Sequence, residues 1–308
     1  MSFKFAGSGS ALPDKIVTND DLASTMDTSD EWITERTGIK ERRVGSSTLE
    51  LATKAAEAAI ADAGMQAADI EQIILATTTP EQLCPGTAPA VANNLGVRCG
   101  AFDVQGACAG WVYALMAANG LLLAGANNVL LIGAEALDKI TDWEDRGTAI
   151  LFGNGAGAHV LTSSPEAKGN IVSWDLNSDG SLGSILYADH GGKFKMEGRE
   201  VFKNAVKVVV NSVAKVLDES GKSPEEIKLV IPHQANVRIV DLAWRKLGLT
   251  MDQTQLVLAK TGNTSAASIP IALDEAVKQD RLAPGDLALF TGFGAGMTWA
   301  TALLEWDH

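Results

Sequence analysis

Short apolar runs alternate with Ala-rich amphipathic stretches along the whole chain. Between Thr48 and Gly64 apolar residues recur at helical spacing, which predicts a helix opened by Thr48 and closed by Gly64. Ile70–Thr78 (IEQIILATT) predicts a buried strand, and Gly100–Val104 a second that leads into a long helix from Ala107 to Leu123. Asn128–Gly133 and Ala156–Thr162 add two more strands. Strands separated by helices in this order predict an α/β architecture whose sheets are covered on both faces.

The second half repeats the pattern of the first. Lys228–Pro232 stands where Ile73–Thr77 does, each after a short acidic loop and helix (Ala67–Glu71, Ser223–Ile227). The helix after Gly262–Ala266 parallels the helix after Cys108, and Asp286–Phe290 parallels Asn128–Gly133. A Gly-rich turn runs into an apolar strand twice, in Phe152–Leu161 (FGNGAGAHVL) and Phe293–Leu304 (FGAGMTWATALL). Such a duplication predicts two similar α/β lobes, 1–165 and 166–308, with catalytic loops meeting between them. Asn177–Lys195, rich in Gly, Ser and Asp, predicts a surface excursion with few anchors.

Composition then removes some function classes. The 308 residues carry a net charge of −13 and no Lys/Arg stripe dense enough to track phosphates, which argues against a nucleic-acid binder. A local basic patch can still dock an acidic partner. The three cysteines, Cys84, Cys99 and Cys108, form neither a CxxC pair nor an even-numbered framework, which fits a reducing cytoplasmic setting and permits a lone thiol nucleophile. The N-terminus lacks a signal-peptide layout. Leu115–Leu137 is broken by Asn119, Gly120, Asn127 and Asn128, and so falls short of the ~20 apolar residues of a membrane span. The expectation is a soluble protein that engages no membrane.

Three positions draw attention. Cys108, in DVQGACAGWVYALMAANGLL, follows a strand and a small-residue turn and begins a helix, whose N–H groups and dipole are expected to lower the thiol pKa and to hold an oxyanion. A small buried apolar cysteine is the alternative. His233, in KLVIPHQANVRIV, ends a strand at the sheet's carboxyl edge, where ligands bind in α/β folds. Of the other histidines, His308 is terminal, His190 lies in the loop excursion, and His159 sits within a strand and is expected in the core. Asn263, in KTGNTSAASIPIALDEA, reads by itself as a helix cap before it reads as a catalyst. The turn Phe293–Gly296 is as ambiguous alone.

Taken together, DTSDEWITERTGI (Asp27–Ile39), GACAG (Gly106–Gly110), DRGTAILFGNGAGA (Asp145–Ala158), PHQANVRI (Pro232–Ile239), GNTSAASIPIALDEA (Gly262–Ala276) and the closing GFGAGMTWATALL resemble the ketoacyl-acyl carrier protein synthase III family from end to end. The resemblance implies a thiolase fold with a layered α-β-α-β-α core, a homodimer, and a decarboxylating condensation of an acyl-CoA primer with malonyl-acyl carrier protein. It implies Cys108 as acylated nucleophile, His233 and Asn263 as partners in decarboxylation, and backbone N–H groups of Cys108 and Ala295 as oxyanion hole. No metal or redox cofactor is implied.

By the same resemblance Thr28, Trp32, Arg36, Arg146 and Gly198 contact CoA. Gln234, Ala235, Asn236, Val237 and Arg238 contact the carrier protein, with Arg238, Arg245 and Lys246 as its basic patch. On the residues alone, Trp32 and Arg36 read as a structural Trp and a surface ion pair, and the patch as a solvated helix face weakened by Asp241. Cys84, Phe202 and Phe293 are expected at the acyl pocket. Cys84 takes a position where short-primer members hold a bulky aromatic reaching into the partner subunit, so medium or long primers are expected unless another side chain refills the space. Gly294-Ala295-Gly296 replaces three glycines of many relatives, which a backbone donor tolerates if φ stays negative. Rival readings are an acyltransferase of the same fold, a condensing enzyme of secondary metabolism, and a non-catalytic acyl-binding scaffold.

Overall fold

A computed structural model describes residues 2–166 and 169–308. Five strands form the first sheet in the order Phe3–Ala11, Gly155–Ser163, Asn128–Glu135, Gln72–Ala76, Gly100–Val104. The last three run parallel and the first two join antiparallel. The second sheet runs Ile227–Pro232, Leu287–Gly294, Thr298–Glu305, Asn170–Ser178, with the first pair parallel and the others antiparallel. A parallel bridge between Val230 and Thr254 stands where Gly100–Val104 stands in the first sheet. The repeat read from the sequence is therefore a repeat of sheet order and strand direction.

Helices Gly110–Leu123 and Ser268–Lys278 lie between the sheets, and their residues share one core with side chains of both sheets. Gly110–Leu123 is apolar nearly all round because it meets protein on both sides. Thr48–Asp62 covers the outer face of the first sheet, and Gly198–Ser220 with Val237–Leu247 that of the second. The layers are α-β-α-β-α, as the resemblance implied. Close packing of the middle layer requires glycine on the facing strand: a Cβ at Gly133 would lie 2.4 Å from the Ala266 carbonyl oxygen. All strands of the first sheet lie at or before Ser163 and all strands of the second at or after Asn170, yet the shared core makes the lobes halves of one packed unit.

The hairpin of Lys15–Thr18 with Glu41–Val44 carries helices Asn19–Ala23 and Asp30–Thr37 as a small cap. Arg42, buried, ties it down through Val17 O, Asn19 Oδ1 and Ile150 O. The stretch 177–195 differs from expectation. It forms a 3₁₀ helix, Gly180–Ile185, and a two-residue pairing of Leu186–Tyr187 with Lys195–Met196. Ile185 and Leu186 are buried, and Phe194 stacks on Phe152 at 4.5 Å. Few but large apolar residues anchor it, which a count of Gly and Ser conceals. No helix among the described residues is long and apolar enough to cross a membrane.

His159 is in the core, edge-on to Phe5 and Trp111, with neither ring nitrogen hydrogen-bonded. Burial pushes its pKa from the ordinary 6.5 down to about 3. Below pH 6.5 the unfolded chain takes up a proton that the folded chain refuses, so the stability this histidine contributes is whole above 6.5 and is lost as pH falls toward 3. The melting temperature of His159→Phe is expected to fall less steeply than wild type between about pH 7 and pH 4. Equal slopes would remove His159 from the account.

Candidate active site

The strand Gly100–Val104 ends below a 3₁₀ turn, Ala107–Ala109, that opens helix Gly110–Leu123. Ala107 takes φ 48°, a left-handed conformation a non-glycine residue holds only under tertiary constraint. Its second-lobe counterpart, Ser265, takes φ 47° at the head of the turn Ser265–Ala267, which opens helix Ser268–Lys278. The two turns pack against each other. A strand-end turn passes over Cys108: a Cβ on Gly294 would lie 2.5 Å from Cys108 N, and one on Gly292 3.3 Å from Cys108 O.

Cys108, His233 and Asn263 line one cavity of about 380 Å³. His233 follows strand Ile227–Pro232; its Nδ1 lies 2.8 Å from Ser268 Oγ, and its Nε2 is buried without a partner. Burial holds its pKa down at about 3, so the ring is neutral. Asn263 makes the bond of a cap and also lines the cavity. Its Oδ1 accepts the Ser265 N–H at 2.8 Å as a cap does, while no hydrogen bond is found for its Nδ2 among the described residues. Backbone bonds to Leu151 O and from Gly153 N fix the loop that carries it.

Cys108 is 9% exposed. Burial pushes its thiol up to about 12; the Ser265 hydroxyl pulls back and the Glu135 carboxyl raises it further. The expected lowering by a helix N-terminus is thus overturned in the resting site, where desolvation outweighs the dipole. Ala295 lines the cavity and is not among the residues at positive φ, so its N–H keeps the conformation a donor needs.

Trp32, Arg36 and Gly198 line the cavity's mouth. The guanidinium carbons of Arg36 and Arg146 lie 4.5 and 4.7 Å from the centroid of the Trp32 ring. Arg146 also donates to Asp27 O at 2.7 Å, and Thr28 Oγ1 is buried without a partner. Phe202 and Phe293 line the cavity; Cys84 is exposed and does not line the cavity of its own chain.

The carrier segment divides. Ala235, Asn236 and Arg238 line the cavity, and the Arg238 guanidinium lies 5.7 Å from the Phe202 ring centroid. Gln234 is a correction: it is fully buried, its Oε1 accepts from Val257 N and Leu258 N, and its Nε2 donates to Gln255 O. It presents nothing to a partner. Val237 packs in the cap's core, and Arg245 is paired with Asp241 at 2.9 Å while Lys246 is exposed.

Sequence reasoning missed Glu135, fully buried at the end of its strand, which accepts from Thr78 N, from the hydroxyls of Thr77, Thr78 and Thr79, and from Ala266 N. An acidic residue closing the apolar run LLIGAE, facing the polar run Thr77–Thr79, was the available signal. It also missed Arg199, Lys203 and Lys207, exposed at four-residue spacing along Gly198–Ser220. Among the described residues no group of three His, Cys, Asp or Glu side chains is placed to hold a metal ion.

The profile "3-Oxoacyl-[acyl-carrier-protein (ACP)] synthase III" matches residues 102–180, and the profile of that family's C-terminal part matches residues 217–306. A curated beta-ketoacyl-[acyl-carrier-protein] synthase III of Aquifex aeolicus is 46% identical over 310 residues, covering 99% of this chain and 100% of that protein. The chain belongs to the 3-oxoacyl-[acyl-carrier-protein] synthase III family. The crystal structure of the Aquifex aeolicus synthase superposes with a TM-score of 0.96 over 99% of this chain and 100% of that one. That of the Pseudomonas aeruginosa synthase III, 39% identical, does so at 0.95 over 100% and 99%. The priming β-ketosynthase of a polyketide pathway, 33% identical, superposes at 0.92 over 99% and 97%.

The tight approach at Gly294 yields a direct test. Gly294→Ala is expected to cut covalent loading of Cys108 from a thioester by ~100-fold, as a displaced nucleophile does. Gly120→Ala, whose Cβ meets nothing within 4 Å, is the control. Wild-type loading in Gly294→Ala would refute the claim that this contact sets the nucleophile.

Proposed function

We propose that this protein is a beta-ketoacyl-acyl carrier protein synthase III: it joins an acyl-CoA primer to malonyl-acyl carrier protein through a thioester on Cys108, in fatty acid biosynthesis. The observation that carries the reading is the convergence of Cys108, His233 and Asn263 on one cavity wall in a chain of this family. The Cys108 sulfur attacks the primer's carbonyl, and the oxyanion rests on the N–H groups of Cys108 and Ala295. CoA leaves and the malonyl carrier takes its place. Asn263 Nδ2 and His233 Nε2 then donate to the malonyl thioester oxygen, favouring the enolate left as carbon dioxide departs. That donation puts the imidazole proton on Nε2. The carbanion attacks the Cys108 thioester and releases the β-ketoacyl product. No metal or redox group takes part in these steps.

Trp32 carries the Arg36 and Arg146 guanidinium groups against its ring, a stacking face that an adenine takes when one of them swings aside, and Thr28 Oγ1 is a buried polar atom left for a ligand. Arg238 at the cavity wall, with Arg199, Lys203 and Lys207 on the neighbouring helix, gives a net-acidic protein a basic rim for an acidic carrier. Lys246 extends that rim; Arg245, paired with Asp241, adds less. The working unit is a cytoplasmic homodimer, in which Cys84 meets the partner's acyl pocket. The 46% identity to a curated beta-ketoacyl-[acyl-carrier-protein] synthase III, against 33% to the polyketide ketosynthase, favours primary over secondary metabolism.

The test is intact mass after incubation with acyl-CoAs from acetyl to dodecanoyl, with Cys108→Ala as control. A wild-type adduct absent in the variant is expected; no adduct with any primer would overturn the reading. His233→Ala and Asn263→Ala are expected to load but to lose ~10²–10³-fold in carbon dioxide release from malonyl-acyl carrier protein. Cys84→Phe is expected to depress loading with dodecanoyl-CoA and to spare acetyl-CoA. Equal loss on both primers would separate Cys84 from chain-length choice.

A further inference from the structure

A primer longer than acetyl brings an alkyl tail that takes no part in the steps at Cys108, and the cavity must hold it. The tail needs an apolar wall, whereas CoA brings phosphates and an adenine to the charged mouth at Trp32, Arg36 and Arg146. Inside the cavity two rings make such a wall. Phe152 and Phe194 both line it and stack with 4.5 Å between centroids and 23° between planes. The pair stands on the catalytic side: Leu151 O accepts the Asn263 N–H at 2.8 Å, and Gly153 N donates to Asn263 O at 3.0 Å, so Phe152 is bridged to Asn263.

The two rings are held very differently. Phe152 is 3% exposed and lies between the two bonds to Asn263. Of the Trp and Phe residues that line the cavity, Trp32 and Phe202 stand on helices, Phe293 on a strand and Phe152 on the bridge. Phe194 alone belongs to none of these. Its backbone is pinned, because its N–H donates to Ile140 O at 2.8 Å. Its side chain is half-buried on the excursion 177–195. That excursion closes with the short pairing of Leu186–Tyr187 with Lys195–Met196 and with exposed links, Lys195 to Asp189 at 3.7 Å and Lys195 to the Tyr187 ring at 5.4 Å. Links of that kind contribute little.

The anchor of Phe194 also receives the loop that bears Cys84. Lys139 O accepts from Lys193 Nζ at 2.7 Å, and Lys139 Nζ meets Glu81 Oε2 at 3.4 Å. Two loops that bear on primer length thus meet at Lys139–Ile140. A ring placed like Phe194 can turn about χ1 while its backbone stays, and partly exposed side chains change rotamer far faster than an enzyme turns over. The cost of turning is the stack. An alkyl chain that replaces the Phe194 ring covers the same face of Phe152, so the buried ring stays out of water.

We propose that Phe194 is a primer-length gate: stacked on Phe152, it closes the acyl end of the cavity over short primers, and a medium or long tail enters by displacing the ring and lying on Phe152. Leu186 and Met196, paired with each other and lining the cavity, remain as the walls beside the moving ring. The small side chain at Cys84 leaves room across the dimer, and Phe194 sets the cost of reaching it. Phe194 touches the tail and no reacting atom, so it acts on which primer loads and not on the chemistry at Cys108.

The proposal rests on the acyl-enzyme reading above, and one experiment separates the two. The full-length protein is loaded in single turnovers with acetyl-, octanoyl- and dodecanoyl-CoA, and the adduct on Cys108 is followed by quenched intact mass. Phe194→Ala is expected to raise the ratio of dodecanoyl to acetyl loading rates about tenfold, the scale of one aromatic stack, with octanoyl between. Acetyl loading itself is expected to stay within about threefold of wild type, because a short primer does not displace the ring. Phe194→Leu keeps an apolar cover without the stack; it is expected to raise the ratio by a smaller factor, and it decides the matter if Phe194→Ala does not fold. Tyr187→Ala loosens the same excursion at a residue that does not line the cavity, and is expected to keep the wild-type ratio. An unchanged ratio in the Phe194 variants, or an equal fall on every primer, would overturn the gate. So would a rise in Tyr187→Ala as large as in Phe194→Ala. Each of those results leaves the wild-type adducts in place, whereas absence of any wild-type adduct would sink the acyl-enzyme reading itself.

Discussion

Everything at the site depends on how closely two helix N-termini meet between two sheets. Gly110–Leu123 and Ser268–Lys278 share the middle layer, and the turns that open them, with Ala107 and Ser265 at φ 48° and 47°, are in contact. Neither non-glycine residue would hold that conformation in isolation; the core around it supplies the constraint. Glycines on the facing strands allow the approach, and a single methyl at Gly133 or Gly294 would collide with backbone. The placement of Cys108 is therefore a property of core packing, reached through backbone rather than through side-chain contacts.

Burial at this junction sets the protonation of the resting site. The thiol is held protonated and the imidazole neutral by the same cause, loss of water. The dipole of an inner helix does not reverse that at rest. It becomes useful when charge develops, because fixed N–H groups in a dry site stabilise an oxyanion without reorganising. A site of neutral groups also costs less to bury than one with a standing ion pair. The ionised side chains of the entrance sit outside, on the cap and on the helix Gly198–Ser220, where water solvates them.

Much of this was legible in the sequence, for particular physical reasons. Gly100–Val104 and the helix after Cys108 were readable because periodicity and turn residues agree there. His159 was readable as core because a strand interior offers no other place for it. The thiol's pKa was not, because local sequence reports a helix start and not how much protein covers it. Gln234 misled because it lies inside a motif whose other members reach the cavity. Strand exit turns it inward, where Val257, Leu258 and Gln255 occupy all of its polar atoms. Stretch 177–195 misled in the opposite sense, since Ile185, Leu186 and Phe194 anchor more than its glycines loosen.

The duplication explains why Glu135 escapes a reading based on motifs. Asn128–Glu135 and Leu287–Gly294 are equivalent eight-residue strands, so Glu135 corresponds by position to Gly294 and Gly133 to Gly292. The contacts obey the same symmetry. A Cβ on Gly133 would meet Ala266 O, and one on Gly292 would meet Cys108 O, while Ala266 is the second-lobe counterpart of Cys108. At the next inward position the lobes diverge. Gly294 leaves Cys108 N uncovered by any side chain, whereas Glu135 places a carboxylate oxygen 3.4 Å from Ala266 N. One fold thus carries two N–H corners of the same shape: one left open to the cavity, the other filled by the protein's own carboxyl group.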